Sequence, residues 1–344
     1  MRVPAVRAWA GVWLAGCLLF ALALPGVTTH WAALPFVVGL VLFGMPHGAM
    51  DWVVLSRLDR TRGPLETLIA FGPYVGLIVI SIALFVLAPV WATVAFLALT
   101  VIHFGSADAR ALGGGEAGPV WRWGTALSRG GLLLGGVFAA APVAAWRPFG
   151  EIAAVFAYAE TALNASAVSA TGWVVVGVSL VIAIGCAVAR RRREGTWLGA
   201  ALDGGEQALT LGVALVAPPL FAVGVYFLGV HAVRYTMRLG SDATLARNGV
   251  ASGGLRGVLR VHAQSLPLLL PSLPLVVLLA WPMPGGWLDR LAVGSIAFYM
   301  ATTLPHHLLG MRLDSASHVA AFGSVATRVG RVRPTTWRPA PHLK

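Results

Sequence analysis

Four histidines, His47, His103, His231 and His306, fall inside stretches of this 344-residue chain that are otherwise apolar, and His307 follows the last of them. A polar side chain in such surroundings is costly and usually marks function. Neutral imidazole is the commonest metal ligand, and histidines on facing helices are a standard way to build a metal site in a bundle core. Taken singly, each has a plainer reading, a ring hydrogen-bonded to a neighbouring helix. Four of them on four segments favour convergence on one ion. Asp51 stands four residues after His47, and Asp108 five after His103. Either carboxylate at that spacing could orient an imidazole, and the same spacing also fits a helix end at the water interface.

Other histidine chemistries leave other patterns. The chain contains no HExxH zinc-protease motif, none of the close-set HxxxH or HxxHH clusters of di-iron membrane desaturases, and no intramembrane serine in a nucleophile-elbow context. A haem held by a histidine pair across facing helices stays open, as does a proton-coupled or metal transporter, since intramembrane His and Asp also build ion pathways.

The elements that must position these rings are membrane helices. Apolar residues make up 58% of the chain and charged residues 11%, and the mean hydropathy is +0.79, which together exclude an ordinary soluble domain. The net charge of +12 does not point to nucleic acid, because the basic residues lie between apolar runs and form no cluster on a soluble face. Cys17 and Cys186 both sit in apolar segments, so no disulfide framework is indicated.

Stretches long enough to cross hydrocarbon are read at 8–27, 31–50, 67–88, 90–107, 126–146, 171–189, 199–217, 219–238, 264–281 and 289–311. Arg2 and Arg7 ahead of an apolar core also fit a signal peptide, but that core is long for one, and an uncleaved helix is expected. A hairpin at Pro218 and Pro219 is chosen over one broken crossing, despite Asp203 and Glu206 in its first limb. With that turn and a cytoplasmic amino terminus, only Arg147 and Arg290 of 25 Lys and Arg residues fall outside. The run Arg190–Arg193 then reads as a stop-transfer anchor. The expected fold is all-α, a polytopic transmembrane bundle of about ten helices, with eight to ten allowed by the roughly 20-residue span. Residues 1–311 form a single transmembrane domain and 312–344 a basic cytoplasmic tail, with 112–118 (LGGGEAG) as a flexible connector. In this topology the four histidines lie roughly 12 to 17 residues from the outer helix ends, within about two turns of one depth.

Four blocks, GMPHGAMD (44–51), HFGSAD (103–108), HAVRY (231–235) and LPHHLL (304–309), resemble the signature segments of the Brp/Blh family of bacterial and archaeal carotene dioxygenases. They occur in that family's order, between about residues 40 and 310. The resemblance implies an iron(II)-dependent β-carotene 15,15'-dioxygenase, a membrane oxidoreductase that cleaves the central double bond with dioxygen to give retinal. It implies His47, His103 and His231 as metal ligands, with Tyr235, His306, Asp51 and Asp108 as further ligands or orienting groups. The family's third block usually reads His-x-x-Arg-His, and Tyr235 stands here at the second histidine. Positions 231 and 235 share a helix face, and a phenol is a poor neutral ligand. The ion is then held by three histidines, or His306 supplies a fourth, or the activity is lost or altered.

A polyene partitions into the bilayer and dioxygen dissolves well there, so a buried site suits both. Trp52, Phe104, Tyr226 and Phe227 are candidate cleft aromatics, although packing or lipid contact is the commoner fate of such residues. The implied partners are a carotenoid, dioxygen, the lipid of the inner cell membrane and a rhodopsin as product acceptor, with no nucleic acid and both termini cytoplasmic. The alternative reading is a non-enzymatic homologue that binds carotenoid or retinal, or moves an ion, with a degraded metal site.

Overall fold

The computed structural model describes residues 3–111, 118–161, 163–242, 245 and 254–329. All but Gly118 of the expected connector, and the last part of the expected tail, lie outside them. The described residues form no strands. The principal helices are α1 (Val3–Ala23), α2 (Leu34–Leu58), α3 (Gly72–Leu87), α4 (Pro89–Ala111), α5 (Pro119–Ala140) and α6 (Pro142–Phe156). They continue as α7 (Ala165–Glu194), α8 (Leu198–Val216), α9 (Pro219–Ser241), α10 (Gly254–Ala280) and α11 (Trp287–Val329). Proline opens α4, α5, α6 and α9, where its missing N–H leaves no helical bond unmade.

Each of the ten expected stretches is helical, so the all-α membrane bundle stands, but the number of crossings is lower. Among the described residues five helices are long and apolar enough to span alone, or seven if each of two bent pairs is one span. Two causes are visible. The stretch expected as one helix at 126–146 turns by 99° between α5 and α6. The helix α8 carries Asp203 and Glu206, both buried, so its apolar character comes from neighbours and not from lipid.

The chain does fold back at Pro218. A straight helix would hold Glu206 and Arg234, 28 residues apart, at about 42 Å. Their side chains instead meet at 2.7 Å in a bidentate pair. The tryptophans of α1 lock onto the same hairpin, with Trp9 Nε1 donating to Gly229 O and Trp13 Nε1 to Val225 O, each at 2.8 Å. The central element is α9, whose apolar window is 83% buried, against 17% for α7 and α10 at the periphery.

Close backbone approach sets helix heights where hydrophobic driving force is weak. A Cβ on Gly105 would run into the Ala126 carbonyl, and one on Gly130 into the Val101 carbonyl, so α4 and α5 touch along their main chains. Gly105 belongs to the HFGSAD block, and its contact fixes the level of His103. Two π-helical turns complete the frame: Leu40–Gly44 in α2, just ahead of His47, and Phe227–His231 in α9. They face each other, since a Cβ on Gly44 would strike the Phe227 ring.

Candidate metal centre

Four helices deliver one histidine each to the same spot: His47 from α2, His103 from α4, His231 from α9 and His306 from α11. All four are buried, His231 completely. Ring centroids lie 4.9 Å apart for His103 and His231, 5.2 Å for His103 and His306, 5.5 Å for His47 and His306, and 5.9 Å for His47 and His231. One ligand atom each of His47, His103 and His306 lie within 4.8 Å of one another, close enough for one ion. His231 is outside that tightest set while remaining in ring contact with two of its members.

The tautomers follow from the partners. A carbonyl can only accept, so His47 Nδ1 carries its proton and donates to Phe43 O at 2.8 Å. His306 Nδ1 donates to Asp51 at 2.8 Å, and Tyr74 O–H donates to the same carboxylate at 2.7 Å. Each arrangement frees the opposite nitrogen, Nε2, as a lone-pair donor. His306 Nε2 is buried with no hydrogen-bond partner among the described residues. Buried polar atoms are rarely left so, and an orphaned imidazole nitrogen beside two others fits a metal. Backing of a ligand ring by a carboxylate or a carbonyl is the usual support of a metal site. His103 Nδ1 meets His307 Nδ1 at 3.3 Å, so His307 is its orienting partner. An all-imidazole donor set suits iron, zinc or copper.

Asp51 therefore meets His306, on another helix, and not His47 one turn before it. Asp108 also faces elsewhere. It accepts from Tyr226 O–H at 2.5 Å and pairs with Arg234 at 3.2 Å and Arg129 at 3.7 Å. Arg129 and Arg234 share Glu206 at 2.5 and 2.7 Å, and Asp203 bridges Arg129 and Arg190 at 2.8 and 2.7 Å. This ionic cluster sits on the far side of His103 and His231 along the same two helices. Arg129 and Arg234 are thus core residues, and not the loop charges that the side-counting assumed.

Tyr235 lies inside the histidine cluster, its ring 4.9 Å from His47, 5.4 Å from His306 and 6.1 Å from both His103 and His231. Its hydroxyl reaches past the rings to α11, 3.0 Å from where a Cβ on Gly310 would stand. The phenol fills the site's floor, with the Arg238 guanidinium over its outer face at 5.6 Å.

Above the histidines opens an apolar cavity of about 670 Å³, lined by His47, His103, His231 and His306 at one end and mainly by aliphatic and aromatic side chains elsewhere. Of the four expected aromatics, Phe104 and Phe227 line it. Tyr226 turns to Asp108, and Trp52 faces a smaller polar recess beside Arg57. His307, Tyr74 and the Arg129–Glu206–Arg234 cluster were missed from sequence. The available signal was the set of charges within apolar stretches, Arg129 and Arg234 against Asp203 and Glu206.

A helical membrane bundle that buries a histidine cluster at the head of an apolar cavity is built for chemistry on a lipophilic substrate. The chain belongs to the beta-carotene 15,15'-dioxygenase family, whose model matches residues 38–314 and so spans all four histidines. It is 30% identical over 322 residues to the probable beta-carotene 15,15'-dioxygenase Blh of Halobacterium salinarum, covering 86% of this chain and 88% of that protein. No solved structure matches it. The protein is accordingly a carotenoid dioxygenase of the Brp/Blh family.

Proposed function

We propose that the enzyme cleaves β-carotene at its central double bond with one dioxygen, giving two molecules of retinal, at an iron(II) ion held by His47, His103 and His306 with His231 beside them. The observation that carries this reading is the placement of three imidazole ligand atoms within 4.8 Å of one another at the end of a cavity sized for a lipophilic molecule. Iron(II) bound there supplies the activation of dioxygen. The chain's own residues do the rest. Phe43 O, Asp51 and His307 fix three rings so that their free nitrogens converge. Tyr74 anchors the Asp51 carboxylate. The apolar walls hold the polyene and exclude water from the reacting carbons. Tyr235, in place of the family's usual histidine, closes the floor, and His306 takes the ligand position it leaves.

In this reading residues 1–311 are the membrane domain of an inner-membrane protein, residues 312–344 are a basic cytoplasmic tail, and both termini are cytoplasmic. A retinal-binding rhodopsin in the same bilayer is a natural acceptor of so apolar a product. The test is expression in cells that accumulate β-carotene, with pigment and retinal followed by chromatography and iron measured in the purified protein. Bleaching, retinal and about one iron per chain are expected, as a single closed ligand set requires. Persistent colour with no retinal overturns the reading.

A further inference from the structure

We propose that the carotenoid enters from the lipid through a lateral opening between α3 and α10, with Ile82 and Val86 on one side and Pro271 and Leu275 on the other. The proposal rests on the activity reading only for the identity of the occupant. All four residues line the same cavity as the histidines. Yet Ile82, Val86 and Leu275 are 49%, 47% and 45% exposed, and Pro271 is exposed too. Such residues stand at a mouth. Each pair is four residues apart and so presents one helix face.

The two faces stand at one level. Helices α3 and α10 both pack along α11. Tyr74, near the start of α3, bonds to the Asp51 that holds His306, while Phe85 packs in one cluster with Ile296. On the other flank Gly294 lies against the backbone of Ala280. Counting along each helix, Ile82 and Leu275 fall opposite the part of α11 between those anchors, where Ala297 and Ala301 line the cavity. Two alanines make a low sill, and the histidines begin about a turn further on.

Helix α10 is also the wall best able to yield. Pro267, Pro271 and Pro274 lie inside it, and each removes a backbone hydrogen bond and crowds the preceding turn. In lipid such a helix is held mainly by its neighbours, and only 17% of its apolar window is buried. A long polyene has no charged end for an aqueous route to recognise, which leaves the hydrocarbon face as its source.

The experiment uses the full-length, iron-loaded protein in liposomes, kept anaerobic so that nothing is cleaved. β-Carotene is supplied from donor vesicles, and its loading is followed by the circular dichroism the pigment acquires in a chiral site. Paired Ile82→Trp and Leu275→Trp should slow loading about tenfold or more with little change in the final signal, as expected for a blocked entrance. Leu275→Ala, which widens the mouth, should load faster than the parent. Val79→Trp and Leu278→Trp, equally lipid-facing on the same helices but outside the cavity lining, should load at the parent rate. Unchanged loading in the paired variant, equal slowing in the two controls, or slowing only in Ala144→Trp on α6 overturns the opening, as does a parent protein that takes up no pigment. Normal loading without retinal after air is admitted counts against the activity reading alone.

Discussion

Two polar clusters share the core of this bundle, and they are built on opposite terms. In the ionic cluster, Arg129, Arg190 and Arg234 face Asp108, Asp203 and Glu206 at 2.5 to 3.7 Å, so its charges cancel within the protein. In the histidine cluster, one carboxylate and one carbonyl hold the outer nitrogens of His306 and His47, while the inward nitrogen of His306 makes no hydrogen bond among the described residues and His231 has the Phe104 backbone as its polar neighbour. The two are joined by α4, which carries His103 and Asp108, and by α9, which carries His231 and Arg234. Asp108 Oδ1, Arg129 Nε and Arg234 Nε make no hydrogen bond among the described residues either, but each belongs to a group paired through its other atoms. A buried charge paired in that way is part of the scaffold, whereas lone pairs left open on adjoining imidazoles fit a ligand.

That contrast is broken most severely by removing a ring that faces inward. His306→Ala is expected to abolish both metal retention and retinal formation, read by metal analysis and chromatography on protein that still elutes as a folded species. A His306→Ala protein that keeps full iron would place the ion elsewhere. The ionic cluster should respond in stability and not in chemistry. Glu206→Leu takes the shared carboxylate from two buried guanidinium groups, leaving them only Asp108 and Asp203, and should cost about 3 kcal/mol, seen as a lowered unfolding midpoint in detergent, while metal per folded chain is kept. Loss of metal without loss of stability would erase the distinction between the clusters.

Smaller effects sharpen it. Asp51→Asn keeps the shape but weakens the support of His306, and metal affinity should fall about 10- to 100-fold in a chelator competition. An unchanged affinity would make Asp51 a mere tie between α2, α3 and α11. Tyr235→His sets an imidazole one turn from His231, and it should tighten the metal by no more than about tenfold, or about 1.4 kcal/mol. The gain is small because the shorter ring leaves a gap beside Gly310. A drop in affinity would show that the phenol supports the site directly.

How much of this was legible depends on which geometry a feature needs. Spacing within one segment and the depth of a residue in its span are sequence properties, so the membrane class and the four converging histidines could be read directly. Which side chains meet between helices depends on the rotation of each helix about its axis. In lipid that rotation is set by small-residue contacts such as Gly105 on Ala126, not by a simple apolar stripe. Hence Asp51 was matched by spacing to His47 and found with His306, 255 residues away. The Asp108–Tyr226 bond, across 118 residues, had no local signal at all. The 99° turn at Ala141 escaped because Pro142 and Pro148 interrupt a run that hydropathy reads as continuous.

The paired π-helical turns have a consequence of another kind. Each admits one residue more than an α-turn would, and everything beyond it is rotated by about 100° relative to a regular helix. His47 follows the turn in α2 and His231 closes the turn in α9. The aim of both rings is therefore keyed to the number of residues as well as to their kind. Losing any one residue from 40–43 or 228–230, even a featureless Leu or Val, would let the turn relax and swing a histidine out of the cluster with every functional side chain still present.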